Sequence, residues 1–239
     1  MLRVIFTEED LSRVRIAPTP DPLWEIANSL DRLQTRRGRW AYAPWYRSTR
    51  SALAADPALR RMVGSMLLPL FPRAAYFPDF LTPFESIGGL DAGIKAILAT
   101  PEARVTNELK MLALVHHAPK WASRLADGEL RADLGTALRT YHQQVIQPYD
   151  DVMQSALDAD RARRERALAR GGVERLLGSF QPLMRWRPPV LEVKYPYTKT
   201  LHLEGRGLLL TPSYFCWELP VALADNELPP VRSTSGSTG

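Results

Sequence analysis

The segment Trp186–Ser213 differs from the rest of the chain and sets its fold class. β-Branched and aromatic residues alternate there with Pro, Gly and Thr, a pattern that is typical of short strands. Three strands are predicted within it, at Val190–Tyr195, Thr198–Glu204 and Gly207–Thr211. Upstream of this segment, apolar residues recur mostly at helical spacing. A chain that is helical over most of its length and ends in strands belongs to the α+β class.

A further strand is predicted at the N-terminus, where Leu2, Val4 and Phe6 recur at every second position. The next strand pattern in the sequence lies beyond residue 185. We therefore expect Leu2–Thr7 to pair with the C-terminal strands and to bring the two ends of the chain together. The predicted fold is a mainly helical domain with a small, mostly antiparallel sheet formed by the N-terminal strand and the C-terminal strands.

Several local patterns predict where helices begin. Asp21–Pro22 and Asp56–Pro57 each combine a capping aspartate with a proline at the first helical position. Thr82 and Glu85 have the spacing of a capping box, which predicts a third helix start. The aromatic stretch Arg39–Tyr46 is predicted to be a loop.

The length of 239 residues allows one large domain or two small ones, and 45% hydrophobic residues suffice for a packed core. We predict one globular domain over residues 1–228. After Leu228 the sequence changes to Pro-Pro-Val-Arg and then STSGSTG, which has no apolar side chain to bury. Residues 229–239 are therefore predicted to be a disordered tail.

Charge and compartment signals are modest. The net charge of +5 permits a nucleic-acid or anionic partner, although an Ala- and Arg-rich composition can also reflect high-GC coding. The charged run Asp158–Arg170 is predicted to be a solvated helix face with pairs such as Asp160 and Arg163 or Arg164; contact with DNA phosphates is the alternative. A single cysteine, no secretory leader and no long apolar window predict a cytoplasmic protein that does not contact the membrane.

Catalytic, metal and cofactor motifs are not found, and we therefore expect no enzyme and no cofactor. The sequence has no G-x-S-x-G elbow, glycine-rich phosphate loop or H-E-x-x-H pair. The adjacent pair His116–His117 points about 100° apart on a helix, so it does not present two ligands to one metal. For an enzyme, the available groups would be His142, His202 with Glu204, and Cys216.

Aromatic side chains suggest where a small molecule would bind. The residues that could form the wall of an apolar pocket are Trp24, Trp45, Tyr46, Tyr76 and Phe80. The alternative is that these rings simply pack over the core. No catalytic, metal-binding or DNA-binding residue is predicted.

Four residue strings resemble a known family. They are LRVIFTEEDLSRVRIAP and DPLWE near the N-terminus, and RWRPPVLEVKYP and LEGRGLLLTPSYFCW near the C-terminus. Together they resemble the N-terminal domain of a group of bacterial ArsR-like transcriptional regulators, over Met1 to about Pro230. In that family a domain of unknown function with this size and order precedes a C-terminal winged helix-turn-helix. Here the sequence ends in STSGSTG where the family continues, so the resemblance implies a part that lacks its own DNA-reading domain.

The resemblance implies a sensing and dimerisation part of a transcriptional regulator. We expect it to form a homodimer, or a heterodimer with a related regulator, and to bind a small-molecule effector. It would reach DNA only through a domain that this sequence does not contain. Two alternatives remain: a naturally short regulator that acts by heterodimerisation, and a small-molecule-binding protein or uncharacterised enzyme.

Overall fold

A computed structural model of the chain describes residues 1–73, 76–116, 118–195, 198–217, 221–222 and 231–235. The chain divides into two compact units. We call residues 1–20 and 152–239 the sheet unit, and residues 21–151 the helical unit. This division differs from the single domain predicted over residues 1–228. The second boundary, at residues 151 and 152, lies inside a helix, so no flexible linker marks it in the sequence.

In the described residues, the strands lie near the two ends of the chain, and helices and short turns occupy the residues between them. The helices are α1 (Glu8–Ser12), α2 (Pro22–Thr35), α3 (Ala43–Ala55), α4 (Pro57–Met62), α5 (Leu68–Leu70), α6 (Leu90–Ala99), α7 (Glu102–Val115), α8 (Ser123–Ala126), α9 (Arg131–Tyr141) and α10 (Asp150–Gly178). The strands are β1 (Leu2–Ile5), β2 (Arg15–Ile16), β3 (Met184–Arg187), β4 (Val190–Val193), β5 (Lys199–His202), β6 (Leu209–Ser213), β7 (Val221–Ala222) and β8 (Val231–Ser235). Short π-helical turns occur at Val63–Leu67 and His142–Ile146, and short 3-10 turns at Asp79–Leu81, Phe84–Gly88, Lys120–Ala122 and Gln147–Tyr149.

The first sheet confirms the predicted pairing of the chain ends. Its strand order is β3-β4-β1-β5, with β1 antiparallel to β4 and parallel to β5. Leu2 lies opposite Val193 on one side and Lys199 on the other. Two of its three pairings are antiparallel, since β3 also runs antiparallel to β4. The predicted α+β fold, mainly helical with a small sheet from both ends of the chain, is confirmed.

The core of the sheet unit follows from the period-two pattern of the first strand. Leu2, Val4 and Phe6 are all buried, because alternate side chains of a strand point to one face. They pack in one apolar cluster with residues of α10 and of the C-terminal strands; among these residues are Leu176, Leu177, Phe180, Met184, Leu191, Val193, Leu203, Leu208 and Leu210. This unit therefore has a hydrophobic core of its own.

A second four-stranded sheet, with the order β2-β6-β8-β7, was not predicted. Its strand β8 runs parallel to β6 and covers Val231–Ser235, where the sequence predicts a disordered tail. Main-chain hydrogen bonds hold parallel strands together, so pairing does not require a pattern of apolar side chains, of which β8 has only Val231. The other tail residues, 229–230 and 236–239, lie outside the described residues.

The helical unit begins at the predicted cap, where Asp21 accepts hydrogen bonds from the main-chain nitrogens of Leu23 and Trp24 at 2.9 and 3.2 Å. The predicted start at Asp56–Pro57 is confirmed as well, by α4. The predicted capping box of Thr82 and Glu85 is wrong, because Pro83 precedes a 3-10 turn that has no side-chain cap. Helix α3 begins at Ala43, so it includes part of the stretch that was predicted to be a loop.

The helices of the described residues include none that is long and apolar enough to span a membrane.

Candidate functional site

Three of the five aromatic residues predicted to bind a ligand are core residues of the helical unit. Trp24, Trp45 and Phe80 are each at most 1% exposed. The indole Nε1 of Trp45 donates a hydrogen bond to the main-chain oxygen of Val145 at 3.1 Å, as buried tryptophans usually require a partner. The ring of Trp24 meets the ring of Phe77 edge-on at 5.8 Å between centroids. Protein atoms therefore already cover these three side chains.

Tyr76 and Phe80 meet at one residue, Glu108 of α7. The Tyr76 hydroxyl lies 3.5 Å from the main-chain oxygen of Glu108, and the main-chain nitrogen of Phe80 donates to its carboxylate at 2.7 Å. Arg104 pairs with the same carboxylate at 2.7 Å. Burial raises the pKa of the half-buried Tyr76, and the negative charges of Glu108 and Asp79 raise it further. This arrangement satisfies Glu108 within the protein.

Tyr46 lies apart from that pair and contacts α2. Its ring meets the ring of Trp45 edge-on, with centroids 5.0 Å apart. Its hydroxyl donates a hydrogen bond to the main-chain carbonyl oxygen of Arg32 at 2.5 Å. Burial raises the pKa of Tyr46, while the positive charge of Arg32 opposes that rise. Tyr46 therefore lies beside the buried charged side chain of Arg32, while Tyr76 lies beside the buried Asp79.

Helix α2 is buried on a polar face as well as on its apolar face. Helical spacing of apolar residues predicts a stripe of Leu23, Ile26, Ala27, Leu30 and Leu33, of which the first four are buried and Leu33 is half-buried. A second stripe, with the spacing i, i+3, i+4 and i+7, is also buried although it is polar; it consists of Glu25, Asn28, Ser29 and Arg32, and we call it the α2 polar stripe. Buried polar side chains need hydrogen-bond partners, so each residue of this stripe should have one.

The middle of the α2 polar stripe is satisfied within the protein. The hydroxyls of Ser29 and Tyr141 lie 3.0 Å apart, both in the interior, and the Ser29 hydroxyl also donates to the carbonyl oxygen of Ile26 at 2.8 Å. Burial raises the pKa of Tyr141, so its hydroxyl remains protonated at neutral pH. Tyr46, which contacts the same helix, raises that pKa slightly further. Two tyrosine hydroxyls therefore face this part of α2.

Arg32, at the end of the stripe, has too few partners. It is only 4% exposed, yet its Nε and Nη1 atoms have no hydrogen-bond partner. Its Nη2 pairs with the carboxylate of Asp31, whose side chain is 39% exposed. A guanidinium keeps its charge at every physiological pH. Arg32 therefore cannot lower the desolvation cost of its burial by losing a proton. Two nitrogens of a charged side chain therefore lie in the interior without a hydrogen-bond acceptor.

The groups considered for an enzyme are dispersed. His142 lies in a π-helical turn of the helical unit, where burial lowers its pKa and the charge of Asp150 opposes this effect. His202 and Glu204 are both exposed, and Cys216 is buried. Within the described residues, no group of three His, Cys, Asp or Glu side chains has the arrangement to hold a metal ion. His117, the second member of the predicted histidine pair, lies outside those residues.

Sequence reasoning missed the α2 polar stripe because polar residues at helical spacing normally form a solvated face. The sequence nevertheless contained an indication of this burial. The apolar stripe of α2 and the aromatic residues after it leave little room for a solvated face on this helix. The stripe also contains Ser and Asn, which favour caps and turns over helix interiors.

Comparison with protein families finds no matching family, and comparison with curated proteins and with solved structures finds no match either.

Proposed function

We propose that this chain is the ligand-sensing and dimerisation part of a cytoplasmic transcriptional regulator of the ArsR-like kind, and that it senses a small organic acid. The resemblance of the four residue strings supports the regulator class. The buried guanidinium of Arg32 supports the ligand class, and it is the observation on which the proposal rests.

The energetics of Arg32 favour an anion as its ligand. Burying an ion costs several kcal/mol even after relaxation, and the mutual attraction of a pair offsets this only if further hydrogen bonds satisfy the ion. Asp31 contacts one of the three nitrogens, and its own side chain is partly hydrated. A carboxylate oxygen at Nε or Nη1 would add a charge-assisted hydrogen bond, the stronger kind.

The neighbouring side chains favour an acid with an apolar body. The rings of Trp45 and Tyr46 pack next to each other, and the Tyr46 hydroxyl is bound to the main chain of Arg32. A carboxylate that reaches the guanidinium would place the rest of its molecule near the half-buried ring of Tyr46. Aromatic rings and one charged group are the usual composition of a small-molecule site.

A second copy of the chain is the proposed dimerisation partner. Helix α7 ends in exposed apolar residues: Met111 is 50%, Leu114 is 80% and Val115 is 47% exposed. Adjacent exposed apolar side chains are typical of protein–protein contacts. The ligand would act on the regulator by binding one dimer arrangement more tightly than another, and the shift in population is limited by that difference in affinity.

Thermal unfolding of the full chain with sodium benzoate tests the ligand class. Benzoate should raise the melting temperature in a saturable way, because a ligand that binds only the folded state stabilises it by about 2.7 kcal/mol at a hundred times its dissociation constant. Benzamide, which has the same ring without the charge, and sodium chloride at equal ionic strength are the controls. A response to benzamide equal to that of benzoate would contradict the proposal, and so would no response to either.

A further inference from the structure

The sheet unit contains a second electropositive site, unrelated to Arg32. It is a surface depression with a volume of about 440 Å³. Four arginines, Arg163, Arg166, Arg170 and Arg175, line it together with Ser179, and we call it the arginine depression. Its volume lies in the range of sites that hold small molecules, about 300 to 1,000 Å³.

Helix geometry and one glycine bring these arginines together. Arg163, Arg166 and Arg170 have the spacing i, i+3 and i+7 in α10, which places them on one face of that helix. The helical conformation is interrupted after Arg170, where Gly172 has φ 66° and ψ −164°, a combination that is open essentially only to glycine. The interruption allows Arg175, from the following stretch, to line the same depression.

A buried ion pair fixes the geometry of the depression. Arg164 and Asp160, one turn apart in α10, are both buried and pair at 3.0 Å. The Nη1 of Arg164 donates to the main-chain oxygen of Ser179 and to its hydroxyl, the latter at 3.0 Å. The guanidinium also stacks on the ring of Phe180, 4.1 Å from its centroid. Arg164 thus ties Ser179, on one side of the depression, to the helix that carries the three arginines.

Three of the four arginines of the depression are not neutralised by the described residues of the protein; the fourth, Arg163, pairs with Asp160 at 3.7 Å. Within the part of the chain that the structure describes, Arg166, Arg170 and Arg175 form no ion pair and no side-chain hydrogen bond. Glu165, their neighbour in sequence, pairs instead with Arg161 at 3.3 Å. Both predicted pairs of Asp160 therefore exist: the pair with Arg164 lies beside the depression, and the weaker pair with Arg163 involves one of its lining residues.

We propose that the arginine depression binds a small molecule that carries two or more linked phosphate groups. Guanidinium groups match phosphate oxygens with paired hydrogen bonds, and several of them around one cavity suit an anion of high charge. One phosphate group would not occupy 440 Å³ or contact four arginines. Ala167 provides the only apolar side chain among the residues described as lining the depression, so an apolar ligand body gains little there.

The shape of the site argues against nucleic acid as the occupant. A duplex presents its phosphates along an extended backbone, and a binding protein follows them with an extended basic surface. Here Arg175 reaches the depression after the interruption of α10, so the four arginines line one depression. This inference is independent of the organic-acid site at Arg32, which lies in the other unit.

Isothermal titration of the full chain with sodium pyrophosphate, at constant ionic strength, tests the inference. We expect one pyrophosphate per chain, bound at least about tenfold more tightly than orthophosphate, because the second phosphate group adds charge-assisted hydrogen bonds. ADP distinguishes the two sources of such a group: tighter binding of ADP assigns the site to nucleotides, and equal binding assigns it to the phosphate chain alone. Orthophosphate binding as tightly as pyrophosphate would overturn the inference.

Single substitutions establish where pyrophosphate binds. Arg166→Gln, Arg170→Gln and Arg175→Gln should each weaken binding by about tenfold or more. Arg50→Gln, at an exposed position of α3, changes the net charge equally and should leave the affinity within about twofold. Circular dichroism melting checks that all four variants are folded. An equal loss of pyrophosphate affinity in all four variants would overturn the inference. So would a result in which pyrophosphate does not bind while a short DNA duplex binds tightly through the same arginines.

Discussion

The hydroxyl of Tyr46, in α3, donates a hydrogen bond to the main-chain carbonyl oxygen of Arg32, in α2, at 2.5 Å. The same oxygen also accepts from the main-chain nitrogen of Arg36 at 2.9 Å, as the helix ends there. This contact holds an aromatic ring against the end of a buried helix, beside a guanidinium whose Nε and Nη1 have no partner. It connects a predicted ligand-binding residue, Tyr46, to the buried guanidinium of Arg32.

Asp21 should make the stability of the protein fall as the pH rises from about 4 to about 6. Burial raises the pKa of Asp21 to about 6, against hydrogen bonds from Ser86, Trp24 and Leu23 that lower it. The folded state therefore binds a proton that the unfolded state has already released in this range, and the free energy of unfolding decreases with pH until the carboxyl is ionised in both states.

Asp21→Asn removes this dependence while keeping the helix cap, because asparagine is an equally good capping residue. Urea unfolding of both proteins from pH 4.5 to pH 8 gives the difference between them. Relative to the wild type, the free energy of unfolding of the variant should rise by an amount on the order of 2 to 3 kcal/mol across this range. A difference that does not change with pH would contradict the raised pKa.

Gly207→Ala should strongly destabilise the sheet unit. Gly207 has φ 73°, and an added Cβ would lie 2.6 Å from the main-chain oxygen of Arg13. Its main-chain nitrogen also donates to the carboxylate of Asp10 at 2.9 Å, linking the start of the chain to the turn before β6. Strained backbone and a clash with main-chain atoms together cost about 2 to 4 kcal/mol.

The matched control is Gly205→Ala, two residues earlier. Gly205 has φ 84°, so the backbone strain is similar, but its Cβ would meet only the end of the Glu9 side chain, which can move. Chemical denaturation should show a clearly smaller loss for Gly205→Ala than for Gly207→Ala. Equal losses would mean that the approach of Arg13 contributes nothing.

Leu114→Lys should convert a dimer into a monomer. Leu114 is 80% exposed and lies at the apolar end of α7, so a charge there disrupts a contact between two copies without disturbing the core. Size-exclusion chromatography with light scattering should give twice the chain mass of 26.9 kDa for the wild type and that mass itself for the variant. Val152→Lys, at an apolar position that is 53% exposed in α10, should remain a dimer. A wild type that is monomeric at high concentration would contradict the proposed dimer.

The sequence predicted the elements that are tied to a side-chain pattern. Leu2, Val4 and Phe6 bury one face of β1, so alternation alone indicated a strand, and the lack of any other nearby strand pattern indicated its partners. The helix cap at Asp21 could likewise be predicted from adjacent residues alone. The second sheet had no such pattern, because β2 and β7 have two residues each and β8 is polar apart from Val231.

The candidate site was predicted only in part, because residue type does not distinguish a pocket wall from a core. The prediction of Trp24, Trp45 and Phe80 as pocket residues rested on aromatic residues near predicted loops. In the structure these three side chains are buried in the core. The sequence does not indicate Arg32, because an arginine on a helix is usually solvated and its burial depends on how α2 packs against α3 and α9. The charged run of α10 is predicted as a solvated helix face, and Arg166 and Arg170 are exposed, but Asp160 and Arg164 are buried because they pair with each other in the interior. The contribution of Arg175 to the depression depends on the interruption at Gly172.

Arg32→Met provides the most direct test of the proposed sensing site, since methionine keeps an apolar side chain of similar length and removes the buried charge. Without ligand, the variant should be more stable than the wild type by about 1 to 3 kcal/mol, because an incompletely paired buried ion is lost and Asp31 can be hydrated. With benzoate, the melting temperature of the wild type should rise while that of the variant should stay constant. A variant that is less stable than the wild type and still responds to benzoate would contradict the account.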